Sequence, residues 1–291
     1  MYRVLSYSAR CSFNLGDATQ THALCRLLGT QTYAINRDDP VPSGHDHLPL
    51  IVNGWLGHAG AMDTTDFPWL RPWCFQGDCT FAGIHLGRRE SHHIEWIRRT
   101  GALVGCRDPY TQGLLRSAGV PSETIGCATL TLPRYSGPRS GRFTIDVRER
   151  PGMTALTNTI SDMTWEDQWK RCVERLDLLR RAEVVYTNRL HVILPCLAFG
   201  TPVLLPSGSL SPAFGKARLT ILWELGFQLD REMVLDISFW AERYKKFLAD
   251  RLGHPLSPCD DPPIPIEDEV HAGVLPSFQA PGTFQTVGQG G

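Results

Sequence analysis

The sequence predicts an α/β protein with two regions of mostly parallel sheet. Two observations carry this. Short apolar runs of strand length alternate with amphipathic helical runs on both sides of a Gly/Pro/Arg-rich stretch, RYSGPRSGR at 134–142. In addition, three polar clusters each follow a predicted strand and open a predicted helix, the position at which open α/β sheets bind ligands.

The elements follow in order. Tyr2 to Tyr7 alternates and reads as a first strand, with a loop over Ser8 to Asp17 that ends NLGD. Ala18 to Leu28 has Leu24, Leu27 and Leu28 at helical spacing, with Asp17 as its N-cap. Leu48 to Val52 is a strand stopped at Asn53-Gly54, and Phe81 to His85 is another. Ser91 caps a helix to Arg99, and Ala102 to Gly105 forms a strand. Asp108 as N-cap and Pro109 at the first helical position start the helix 110–118, which Gly119 closes. After the linker, Phe143 to Val147 is a strand, and Arg148 to Met163 shows little regular character. Residues 165–181 form a charged amphipathic helix, Glu183 to Tyr186 a strand, Leu190 to Phe199 a helix and Pro202 to Leu205 a strand. Helices over Lys216 to Leu225 and Ser238 to Leu252 precede a Pro/Gly-rich tail ending GTFQTVGQGG. The expected organisation is an N-terminal α/β domain over 1–135, a C-terminal α/β domain over 143–252 and a tail over 253–291.

Composition narrows the function. The chain has 291 residues, 42% of them hydrophobic, and a formal net charge of −1. That balance shows no footprint for nucleic acid or for an anionic lipid surface. No secretory signal is read at MYRVLSYSAR, and no run reaches the roughly 18 to 20 apolar residues of a membrane span. The longest, Val192 to Leu205, holds two prolines and a glycine. Nine scattered cysteines form no CxxC pair, so they read as reduced thiols of a cytoplasmic protein. No metal site is expected: His45-Asp46-His47 sits in a Pro/Gly loop, and the side chains of His92 and His93 point apart on their helix.

Any anion must therefore be held by locally placed cations. The three clusters are Asn14-Leu15-Gly16-Asp17, Arg107-Asp108 and Thr187-Asn188-Arg189-Leu190-His191. Helix N-termini offer free N–H groups and a positive partial charge, and an arginine fork grips a carboxylate or phosphate bidentately. Taken alone, Gly16 and Asp17 read equally well as a turn and a cap, and Arg107 with Asp108 as a surface ion pair. Arg189 and His191 interrupt the apolar run Val184 to Pro206, and no acidic residue lies in TNRLHVILP to pair with the arginine locally. They read as functional.

Six ordered segments, spread from residue 11 to about 227, resemble the polysaccharide pyruvyltransferase family. They are NLGDATQTHAL, LIVNGWLGH, GCRDPYTQGLLRSAGV, IGCATLTLP, TNRLHVILPCLAFGTPVLL and KARLTILWELGF. The resemblance implies two Rossmann-like domains facing a cleft, as in two-domain (GT-B-like) glycosyltransferases. It implies transfer of pyruvate from phosphoenolpyruvate onto two hydroxyls of a sugar, glycan or lipid-linked glycan acceptor, giving a ketal without a further cofactor. His191 and Asp17 are then the catalytic acid–base candidates, and Asn14, Gly16, Arg107, Asn188 and Arg189 the substrate-binding ones. An unperturbed imidazole pKa of about 6.5 gives His191 access to both protonation states. Alternatives are a nucleotide-sugar glycosyltransferase on the same architecture and a non-catalytic binding protein of this fold.

Overall fold

The computed structural model describes residues 1–6, 14–36, 45, 47–56, 78–87, 91–161, 163–210 and 216–267. The segment before NLGD, Asp46, Cys74, the side chains of His92 and His93, and the GTFQTVGQGG end lie outside the described residues. Eleven strands and seven α-helices are described. In chain order they are β1 (Tyr2–Ser6), α1 (Leu15–Leu28), β2 (Thr32–Asn36), β3 (Leu50–Leu56), β4 (Cys79–Leu86), α2 (Ser91–Thr100), β5 (Val104–Cys106), α3 (Pro109–Ser117), β6 (Ser122–Thr124), β7 (Arg142–Ile145), β8 (Thr154–Leu156), α4 (Trp165–Arg181), β9 (Val184–Thr187), α5 (Leu190–Phe199), β10 (Val203–Leu204), α6 (Thr220–Glu224), α7 (Ser238–Leu252) and β11 (Ile266–Glu267).

They build two parallel sheets, of order β11-β2-β1-β3-β4-β5-β6 and β10-β9-β7-β8. The chain thus forms two α/β regions, consistent with a two-domain Rossmann-like architecture. In the first sheet the strand order reverses between β1 and β3, in the second between β7 and β9. Such switch points open crevices at the carboxyl ends of the strands.

The sheets share one core. Val4, Leu24 and Ile51 from the first region lie in the same apolar cluster as Ile145, Val185 and Leu194 from the second. α1 joins them: from Leu15 to Leu28 only Asp17 and Arg26 escape burial, because the helix packs on its own sheet and on α4 and α5. Two of its buried threonines find partners. Thr19 Oγ1 donates to Leu15 O (3.1 Å), and the Ser6 and Thr21 hydroxyls are 3.1 Å apart. The linker is fixed as well. Arg139 donates to the carbonyls of Arg180, Ala182 and Phe199, at the C-terminal ends of α4 and α5 where carbonyls lack helical partners.

The fold departs from the sequence reading in several places. β3 does not stop at Asn53-Gly54. Gly54 takes a φ of 91° and carries the strand through a bulge, with the register to β4 shifting between Val52 and Gly54. The 148–163 segment contains β8, whose three residues are too few to show a period. β2 and β6 are short strands that periodicity did not reveal. Residues 216–219 form a 3₁₀ turn before the short α6. Finally α7, grouped by chain position with 143–252, lies on the first sheet. Gly83 and Gly105 leave room there for the rings of Tyr244 and Phe247, and the buried Tyr244 hydroxyl donates to Ala82 O (3.0 Å). The tail then returns β11 to pair with β2.

The Tyr244 hydroxyl is the polar anchor of α7 on β4. Tyr244→Phe is expected to lower unfolding stability by about 1 kcal/mol, a typical net value for a buried hydrogen bond. Urea denaturation measures this; an unchanged midpoint would place the anchoring in apolar contact alone.

Candidate functional site

The predicted clusters meet at the carboxyl ends of the strands. α1 begins at Leu15, three residues before the expected start, and its N-cap is Asn14 rather than Asp17: Asn14 Oδ1 accepts from Gly16 N (3.1 Å). Asp17 lies in the first turn, where a carboxylate favours the positive end of the helix. Gly16 is the decisive residue of this turn. A Cβ built on it would stand 2.8 Å from His191 Cβ and 3.3 Å from His191 Nδ1. Only glycine lets α1 lie against that imidazole, so NLGD and TNRLH touch although 175 positions separate Gly16 from His191.

Arg107 and Asp108 are not the surface pair that the sequence left open; both are fully buried. Asp108 caps α3, Oδ1 accepting from Thr111 N and Thr111 Oγ1 (both 2.9 Å). Its Oδ2 accepts from His85 Nδ1 (2.6 Å) and Arg107 Nε (3.3 Å). Arg107 Nη1 and Nη2 and His85 Nε2 are buried with no hydrogen-bond partner among the described residues. A buried cation with idle donors is strongly disfavoured unless an anion meets it.

TNRLH turns β9 into α5. Thr187 Oγ1 accepts from Arg189 N (3.0 Å) and shapes the turn. His191 has φ −83° and ψ 19°, outside helical values, while the helix runs on to Phe199. Pro195 explains the distortion: it lacks the N–H that would reach the His191 carbonyl, and its ring crowds that carbonyl. His191 is buried, and its Nε2 has no partner among the described residues. Arg189 is paired after all. Asp146, 43 positions away, accepts from its Nε at 2.7 Å. The Asn188 amide donates to Ser209 O (3.3 Å), an interaction within the second region.

Sequence reasoning missed His85 and Arg218 as site residues. His85 stands at the end of an otherwise apolar strand, the same kind of interruption that singled out His191. Arg218 lies half-buried, its guanidinium 5.5 Å from the centre of the Trp55 ring. Nothing in KARLT marks it as a site residue beyond its charge.

Electrostatics tie these groups together. Burial first, then the charges of Arg107, Arg218 and His85, push the His191 pKa well below the usual imidazole value. His85 is pushed down to about 4 by burial, then by Arg107, against the opposing pull of Asp108. Burial alone would raise the Asp108 carboxyl, but His85, Arg107 and the Thr111 N–H together hold it below the ordinary range. Burial and Arg107 bring Arg218 down to about 10, with Asp17 opposing. At neutral pH both imidazoles are thus uncharged and sit in a positive potential. Asp108, an acceptor only, requires the proton of His85 on Nδ1, which leaves Nε2 as a buried lone pair. The arrangement suits a compact anion and offers two imidazoles for proton transfer. Among the described residues no three His, Cys, Asp or Glu side chains group as metal ligands, and no helix is long and apolar enough to cross a membrane.

Comparison with known proteins agrees with part of this. The sequence profile of the polysaccharide pyruvyl transferase family matches residues 87–205, which include Arg107, Asp108, Arg189 and His191. The match supports assignment of that part of the chain to the family, and with it an enzyme of transferase type that engages a sugar or glycan acceptor. No curated protein matches. Among solved structures, a functionally uncharacterised protein from Klebsiella pneumoniae subsp. pneumoniae is similar, at 14% identity and a TM-score of 0.49, over 80% of this chain and 93% of that one.

The depressed imidazoles make stability depend on pH. An unfolded chain takes up these protons below about pH 6.5, whereas the folded site resists them, so stability is complete above that pH and is lost as pH falls. His22, also pushed down to about 4 by burial and by Arg26, adds to the effect. Each such imidazole is expected to remove on the order of 2 kcal/mol between pH 7 and pH 5. Urea midpoints across that range measure it, and His191→Gln should flatten the slope. A level or rising midpoint toward pH 5 would contradict the neutral, buried imidazoles.

Proposed function

We propose that this protein transfers pyruvate from phosphoenolpyruvate onto two hydroxyls of a sugar or glycan, forming a ketal. The observation that carries the reading is Arg107, fully buried with both Nη groups idle among the described residues, beside two imidazoles whose Nε2 atoms also lack a partner there. Phosphoenolpyruvate supplies what that environment lacks: a carboxylate and a phosphate on a three-carbon frame. In this reading residues 1–135, with α7 and β11 added, face residues 143 to about 237 in a GT-B-like arrangement. Arg107 comes from one side of the cleft and Arg189 from the other.

The chemistry follows from the charge balance. The donor's negative charge offsets Arg107 and Arg218, so His191 gains a proton when the donor binds. His191 passes that proton to the methylene carbon, which becomes the methyl group, and the central carbon becomes electrophilic. A sugar hydroxyl attacks it and loses its proton to His85 Nε2, which Asp108 steadies from behind. Geometry favours His85 over Asp17 for this step, because a neutral imidazole with a buried lone pair is already a base. The second hydroxyl displaces phosphate and closes the ketal. The methyl proton is the one His191 took up on donor binding; the first hydroxyl proton leaves His85 for solvent once product departs, and the second leaves with phosphate, so both imidazoles return to the neutral form. The positive end of the α1 dipole, with Asn14 and Gly16 at its first turn, favours the donor's anionic end.

Incubation with phosphoenolpyruvate and a panel of glycan acceptors should release phosphate and add a pyruvate ketal detectable by mass. His191→Ala and Arg107→Met are expected to lower turnover by about 10²–10⁴-fold, the usual range for a lost acid–base group, with both variants still folded. Absence of product with every acceptor, together with no thermal stabilisation by phosphoenolpyruvate, would sink the reading. Stabilisation by UDP or GDP instead would replace it with nucleotide-sugar glycosyl transfer.

A further inference from the structure

Asp146 follows β7 at the switch point of the second sheet, where Ile145 is in register with Thr187 of β9. Its φ is 55°, in the left-handed region that non-glycine residues seldom occupy. Such a conformation persists only where its surroundings over-determine it, and here they do. The Asp146 N–H donates to Leu156 O (3.2 Å). Oδ1 accepts from Thr157 Oγ1 (2.8 Å), and Oδ2 accepts from Asn158 N (3.1 Å) and from Arg189 Nε (2.7 Å). The carboxylate is thus fixed by its own neighbours before it meets Arg189.

The way it meets Arg189 matters. Contact is through Nε alone, and Arg189 makes no other side-chain hydrogen bond among the described residues. The Nη1–Nη2 edge is the one that receives a carboxylate or phosphate bidentately. Asp146 leaves that edge clear and sets the plane in which it lies. With its side chain 37% exposed, against 12% for Asp146, Arg189 has one end anchored and the other open.

The support of Asp146 is also the support of α1. Asn158, whose N–H holds Asp146, accepts from Leu15 N through its carbonyl (2.9 Å) and donates from Nδ2 to Asn14 Oδ1 (3.3 Å). Arg175 braces it from α4, through Nη1 to Asn158 Oδ1 (3.2 Å) and Nη2 to Thr157 O (3.0 Å). Residues 157–159 therefore bind the N-terminus of α1 and the carboxylate behind Arg189 at once.

We propose that Asp146 is a positioning residue for the donor anion. It holds Arg189 by Nε so that the free edge of the guanidinium faces the anion, and through Asn158 it ties that orientation to α1. The proposal rests on the anion-binding reading of the site, and the test separates the two. Calorimetric titrations of the full chain with phosphoenolpyruvate and, in parallel, inorganic phosphate would compare wild type, Asp146→Asn, Arg189→Ala and the double variant. Asparagine tolerates the left-handed region and keeps the shape while removing the charge. If it does not fold, Asp146→Gly supplies the same arm.

Asp146→Asn is expected to weaken anion binding about tenfold in the wild-type background and less than twofold in the Arg189→Ala background, the signature of action through Arg189. Equal losses in both backgrounds would overturn the proposal, as would unchanged or tighter binding, which would make Asp146 a competitor for Arg189. Wild type that binds phosphate with this coupling, but not phosphoenolpyruvate, would remove the donor reading and leave the positioning role. Failure of wild type to bind either anion would overturn both.

Discussion

Gly16 lies against His191 with no space for a side chain between them, and the geometry of the candidate site depends on that contact. It brings the N-terminus of α1, carried by the first sheet, to the turn between β9 and α5, carried by the second. A shared apolar core keeps the two regions in place around it. The backbone distortion at His191, traced to Pro195, falls at this same contact. Any side chain at position 16 would force the two motifs apart.

Charge at this junction follows a repeated arrangement. Arg107 has Asp108 behind its Nε, and Arg189 has Asp146 behind its Nε, so each guanidinium is held from the rear by a carboxylate. The forward edges remain for a ligand. Holding an arginine by Nε limits its rotation at a small loss of charge, which is how outer partners preorganise a binding group. The two imidazoles behave differently. Burial and the surrounding cations keep them neutral, and an anion that offset those cations would favour their protonated form. In the proposed reaction this couples acid catalysis to donor binding, since His191 becomes an acid only once the donor's charge has arrived.

Much of this was legible in the sequence because the relevant signals are local. Asp108-Pro109 marks a helix start through chemistry confined to two residues, and α3 begins there. Arg189 and His191 stood out because polar groups in an apolar run need a reason. Other features were not legible, for physical reasons. The carboxylate behind Arg189 comes from a separate strand, and no local pattern encodes a partner 43 positions away. β8 is too short to show alternation. The return of α7 to the first sheet depends on two glycines in β4 and β5 that make room for its rings, which only the packed fold reveals. His85 carried the same signal as His191, but its importance arises from Asp108, two strand ends away in the chain.

In the proposed reaction an anion entering between Arg107 and Arg189 changes the protonation of His191. Calorimetry of phosphoenolpyruvate binding at pH 7.5, in buffers of different ionisation enthalpy, tests it most directly. Net proton uptake on binding is expected, with loss of that uptake in His191→Gln. Binding without proton exchange, or uptake that survives His191→Gln, would contradict it.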